Sequence, residues 1–174
     1  MPFDAVFLSA VTQELQSACG ARIGALISRN RGIMQGALKL AQARLSVATL
    51  DQLGAAALYG VDPGYFNATR DEYRRRRDTC YRKLLEIPGI VTTEPQGAFY
   101  TMAKLPVDST ERFQLYLLQE FEDHGETVMF APGSGFYATP GAGTSEIRIA
   151  YVRCVEELER SLTLLRLAIE RYNQ

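Results

Sequence analysis

Two punctuation marks, Asp62-Pro63 and Pro88-Gly89, constrain this chain most. A capping carboxylate followed by proline at the first turn starts a helix, and a proline-glycine pair ends one. A single helix is therefore expected from Pro63 through Tyr73, Arg77, Cys80 and Leu84 toward Ile87. The character of the chain differs on its two sides. Before it, the short apolar runs Val6 to Leu8 and Ile23 to Ser28 read as strands buried on both faces. They are followed by an Ala, Leu, Gln and Lys-rich helix from Asn30 to about Ala43 and a second helix from Thr49, expected as its cap, to Tyr59, where Gly60 ends it. After Gly89 come short strands at Ile90-Val91 and Ala98 to Met102, then a helix carrying Phe113, Leu117 and Phe121. Strands at Val128 to Phe130 and Ile147 to Val152 and a last helix with Leu158, Leu162, Leu165, Ile169 and Tyr172 complete the pattern. That order predicts an α/β unit with a mixed sheet, whose core should include Phe99, Phe113, Leu117, Phe121, Ile149, Leu158, Leu162 and Leu165.

The charge balance excludes some functions. With 19 basic and 20 acidic residues in 174, no excess attracts nucleic acid or an anionic membrane. Arg74 to Arg77 look basic, but four consecutive residues point around most of a helix and make no single stripe. Cys19, Cys80 and Cys154 are odd in number, widely spaced and without a CxxC or histidine partner, so neither a disulfide framework nor a metal site is expected. A reducing cytoplasm suits them. No apolar run reaches the length of a membrane span, and Met1-Pro2-Phe3-Asp4 lacks the basic start of a signal peptide. His124 has no acid-base partner nearby and reads as a helix C-terminal residue.

Four ordered segments carry a resemblance: Ser17 to Gly24 (SACGARIG), Pro95 to Tyr100 (PQGAFY), Thr127 to Gly133 (TVMFAPG) and Glu146 to Tyr151 (EIRIAY). Together they resemble the C-terminal part of class I/II, fold-type-I aminotransferases that depend on pyridoxal phosphate. The resemblance implies the end of the large domain plus the small C-terminal α/β domain. It divides the chain into a large-domain remnant at 1–60, a connecting helix at 61–88 and the small domain at 89–174. It also implies that Arg22 grips the cofactor phosphate, that Arg148 receives the substrate α-carboxylate and that Phe99 flanks the substrate. An arginine fork suits both anions because it donates two parallel charge-assisted hydrogen bonds.

The same resemblance places the family's Schiff-base lysine eight residues before the phosphate arginine, and that position is Glu14. A carboxylate forms no imine and repels a neighbouring phosphate. The family's ring-holding residues precede the matched stretch, and Met1 falls one strand before the lysine position. The expectations are therefore an aminotransferase-like chain that is inactive alone, with pyridoxal phosphate implied by the family but not covalently bound. The alternatives are a non-catalytic binding or regulatory protein of the same fold, or one half of a split enzyme whose other half is a separate polypeptide. A strand of buried type without its neighbours needs cover, so a homo-oligomer, expected as a dimer formed through Val6 to Leu8 and Ile23 to Ile27, follows.

Overall fold

A computed structural model describes residues 7–9 and 22–174. Contacts divide the chain into two compact units, Met1–Ala68 and Thr69–Gln174.

In the first unit, β1 (Phe7–Ser9) pairs antiparallel with β2 (Ala25–Ile27), Leu8 standing opposite Leu26. The strand expected to be buried on both faces is not: β2 alternates exposed and half-buried, and Ile27 is 61% accessible. Two strands alone cannot cover both faces of each other. Helix α1 (Arg31–Arg44) starts where Asn30 predicts, its side chain accepting the Ile33 N–H at 3.1 Å. Helix α2 (Thr49–Ala57) runs into a 3-10 turn at Leu58–Gly60. Thr49 is the first helical residue and not the cap; Ala48 precedes it, and the Gln52 amide reaches back to the Val47 carbonyl at 2.7 Å. Neither helix buries a residue, and Leu40 (74%) and Leu50 (82%) are largely accessible.

Helix α3 (Pro63–Leu85) opens with Asp62 Oδ1 accepting the Gly64 N–H at 2.5 Å. The division between units falls inside it. Cys80 and Leu84, with Ile87 just beyond, are buried in the core of the second unit, so the segment read as a connector also supplies core. The run Arg74 to Arg77 faces carboxylates of the same helix: Arg74 meets Asp71, Arg75 and Arg76 meet Glu72, and Arg77 meets Asp78.

The second unit is built on a four-stranded sheet of order β3 (Val91–Thr92), β4 (Tyr100–Lys104), β6 (Glu146–Ala150), β5 (Ala131–Pro132). Each of its described pairings is antiparallel, where a mixed sheet was expected. The strand expected at Val128 to Phe130 lies slightly later, at β5, because ladder bonds form where Ala131 meets Arg148 and Pro132 meets Ile147. Pro132 lacks an N–H and is tolerated because β5 is an edge. Helices α4 (Thr110–Gln119) and α5 (Val155–Tyr172) contribute Phe113, Leu117, Leu158, Leu162 and Leu165 to the core, with Phe121 just after α4. Phe99 and Ile149 pack against this core half-buried. Glu156 and Glu157 in the first turn of α5 and Arg171 in its last complement the helix dipole.

His124 does not end a helix. It shares with Gly125 a tight turn in which Asp123 and Glu126 exchange backbone hydrogen bonds, both central residues having positive φ, 54° and 76°. That is the geometry of a type I′ turn, which strains every residue but glycine and, less so, asparagine.

Burial pushes the Cys80 thiol up to about 12. At pH 8 its thiolate fraction is then on the order of 10⁻⁴. Iodoacetamide is expected to label exposed Cys154 in the native protein and Cys80 only after denaturation. Peptide mapping showing equal native labelling of the two would contradict the buried core.

Candidate functional site

The burial of Ile147 decides where Arg148 points. In β6 the side chains alternate, and Ile147 is fully inside the core, so Glu146, Arg148 and Ala150 leave by the other face. Register places Met102 of β4 and Ala131 of β5 directly beside Arg148, with Tyr100 one step along β4 on the same face. The Arg148 guanidinium carbon lies 4.6 Å from the centre of the Tyr100 ring and 4.4 Å from that of Phe136. Each such contact contributes about 0.5–2 kcal/mol, depending on solvent exposure. An aromatic ring attracts the cation but offers no carboxylate, and among the described residues none forms an ion pair with Arg148.

Both rings are held by the local backbone. Buried Tyr151 donates its hydroxyl to the Ala98 carbonyl at 3.0 Å and its N–H to that of Phe99 at 3.0 Å, fixing the entry to β4 around Ala98 at φ 57°. Phe136 ends a 3-10 turn, Ser134–Phe136, anchored by Gly133 N–H to the Glu146 carbonyl at 2.6 Å and by Ser134 Oγ to Glu111 at 2.7 Å. A Cβ on Gly133 would lie 2.7 Å from both Cβ and O of Glu146, so only glycine permits this approach.

The residues singled out in the sequence fall as follows. Arg148 sits in the second unit at the centre of its sheet. Phe99 packs against the core and stacks obliquely with Tyr73 and Tyr100, at 6.1 and 4.4 Å between centroids. Arg22 belongs to the first unit, exposed and left-handed at φ 53°, three residues before β2. Glu14 lies outside the described residues. Tyr100 and Phe136 were missed. The register of β4 against β6 could have found Tyr100, which stands diagonal to Arg148.

The second unit thus presents a guanidinium from the middle of an antiparallel sheet, flanked by two aromatic rings and, among the described residues, without an ion-pair partner. Residues 16–163 match the family Aminotransferase class I and II, and the chain belongs to it. It is 29% identical over 176 positions to the aspartate aminotransferase of Bacillus subtilis (strain 168), an overlap covering 97% of this chain and 42% of that protein. The alanine aminotransferase of Pyrococcus furiosus superposes with a TM-score of 0.73 at 29% identity, over 92% of this chain and 41% of that one. An aspartate aminotransferase from Rhodobacter sphaeroides gives 0.81 at 22% identity over 97% and 42%, a likeness of fold. The chain thus spans well under half the length of these relatives.

Membership implies pyridoxal phosphate. The described residues fit that group in part. Arg22 and Arg148 are of the type that holds phosphate and carboxylate. The lysines are less suited to covalent attachment: Lys83 pairs with Glu86 at 2.8 Å, while Lys39 and Lys104 lie exposed on α1 and at the end of β4. No chemical step through the cofactor follows from this set.

Proposed function

We propose that this chain forms the carboxylate-receiving part of an aminotransferase-type site and does not itself transfer amino groups. In this reading Arg148 takes the α-carboxylate of an amino acid, Phe99 flanks it and Arg22 faces the cofactor phosphate. Glu14, at the lysine position that the family resemblance marks, leaves the cofactor without a covalent anchor. The observation that carries the reading is the state of Arg148, with two aromatic rings over its guanidinium and no ion-pair partner among the described residues. A charged fork in that state is ready for a planar anion.

The test is a titration of the chain with sodium acetate at constant ionic strength, following the Nε–Hε resonance of Arg148 by NMR. Saturable movement of that resonance is expected, with Arg148→Met weakening acetate binding by about tenfold or more. Movement that does not saturate, or that sodium chloride reproduces, would defeat the reading. Glu14 also favours a second reading, a non-catalytic binding protein of the same fold; retained carboxylate affinity with no effect on any amino-transfer partner would select it. The exposed apolar residues of β2, α1 and α2, Ile27, Leu40 and Leu50 among them, support self-association through the first unit. Sedimentation at micromolar concentration is expected to show a dimer, and a monomer at all practical concentrations would count against it.

A further inference from the structure

Glu146 precedes Arg148 by two residues on β6, so both side chains leave the same face, about 6.6 Å apart at the strand rise. A carboxylate tethered at that distance is a built-in competitor for the guanidinium, because its effective concentration is on the order of millimolar or more. In the structure it is engaged elsewhere: the Tyr137 hydroxyl donates to Glu146 Oε2. We propose that Tyr137 is a positioning residue that holds Glu146 off Arg148 and keeps the guanidinium open to an incoming carboxylate. This rests on the carboxylate-receiving reading of Arg148.

Tyr137 is placed for that task by two glycines. Its ring lies on the backbone of Gly143, where a Cβ would come within 2.5 Å of Cδ2 and 2.6 Å of Cε2, and Gly143 has φ 71°. Gly133 brings the preceding turn onto the Glu146 backbone. Tyr137 is exposed and takes no part in the core, so these contacts fix its ring and hydroxyl. The bond to Glu146 raises the Tyr137 hydroxyl above its ordinary range, which keeps it a donor throughout neutral pH. Lys104, directly opposite Glu146 on β4, is the other cation the released carboxylate would meet. The arginine fork is the better partner, since it donates two parallel bonds to a carboxylate.

Three proteins decide the matter: the unmodified chain, Tyr137→Phe, and Tyr137→Phe combined with Glu146→Gln. Without ligand, the Arg148 Nε–Hε resonance is expected to shift in Tyr137→Phe and its hydrogen exchange with water to slow, as a new ion pair forms. The double variant should return both to their original values. In acetate titrations Tyr137→Phe should bind about fivefold more weakly, and the double variant should recover. An unchanged Arg148 resonance in Tyr137→Phe, including the case in which Glu146 turns to Lys104, overturns the proposal. So does a double variant that fails to recover. If the ligand-free changes appear but the unmodified chain binds no acetate, the positioning role stands and the carboxylate reading falls.

Discussion

Mixed with pyridoxal phosphate and reduced with borohydride, the chain is expected to carry no adduct at residue 14 and to release no keto acid from aspartate, glutamate or aromatic amino acids. The family resemblance puts the cofactor lysine eight residues before Arg22, and Glu14 stands there. That lysine serves as covalent anchor and as carrier of the proton between two carbons of the substrate, so in the reading proposed above a glutamate in its place removes both roles. Loss of one member of a hydrolase catalytic triad costs on the order of 10⁴–10⁶ in rate. Any trapped cofactor should fall instead on exposed Lys39 and Lys104, with Lys83 slowed by its pairing to Glu86. Mass spectrometry of the digested, reduced protein reads the positions directly. Keto-acid formation by the unmodified chain alone would refute the inactive reading.

The second large effect concerns stability. Phe113→Ala is expected to destabilise the second unit by about 3–5 kcal/mol, because the ring is fully buried and its removal leaves a cavity between elements that cannot all collapse onto it. Its neighbours come from separate parts of the fold: Phe130 before β5 at 5.9 Å between centroids, Tyr172 at the end of α5 at 5.1 Å and Tyr116 on its own helix at 6.2 Å. Urea unfolding should show the midpoint falling with little change in slope. Leu118 is the control on the same helix. It is half exposed, and Leu118→Ala should stay within about 0.5 kcal/mol. Equal losses for the two variants would mean that Phe113 is not the packing centre of the unit.

What the sequence made legible was set by how locally each feature is determined. Asn30 and Asp62-Pro63 cap their helices through bonds two or three residues away, so α1 and α3 begin where they were expected. The periodicity of α5 and of Phe113 and Leu117 marks burial on a single helix face, and those residues are inside except for half-buried Tyr172. Strand bounds were less legible. The apolar run from Val128 to Ala131 suits a strand anywhere along it, and only pairing with Ile147 and Arg148 selects Ala131-Pro132. At the site, Arg148 could be read from its own motif, whereas Phe136 meets it from a 3-10 turn across a loop that leaves no periodic trace. The accessibility of β2 depends on what covers it, which three residues cannot encode.

Both borders of the second unit's sheet are two residues long, β3 on one side and β5 with its proline on the other. A growing fibril needs a row of free N–H and C=O groups to copy, and such short margins offer almost none. The central strands β4 and β6, at five residues each, are longer templates, yet each is paired on both sides. Aggregation through this sheet should therefore follow unfolding of the second unit and not precede it.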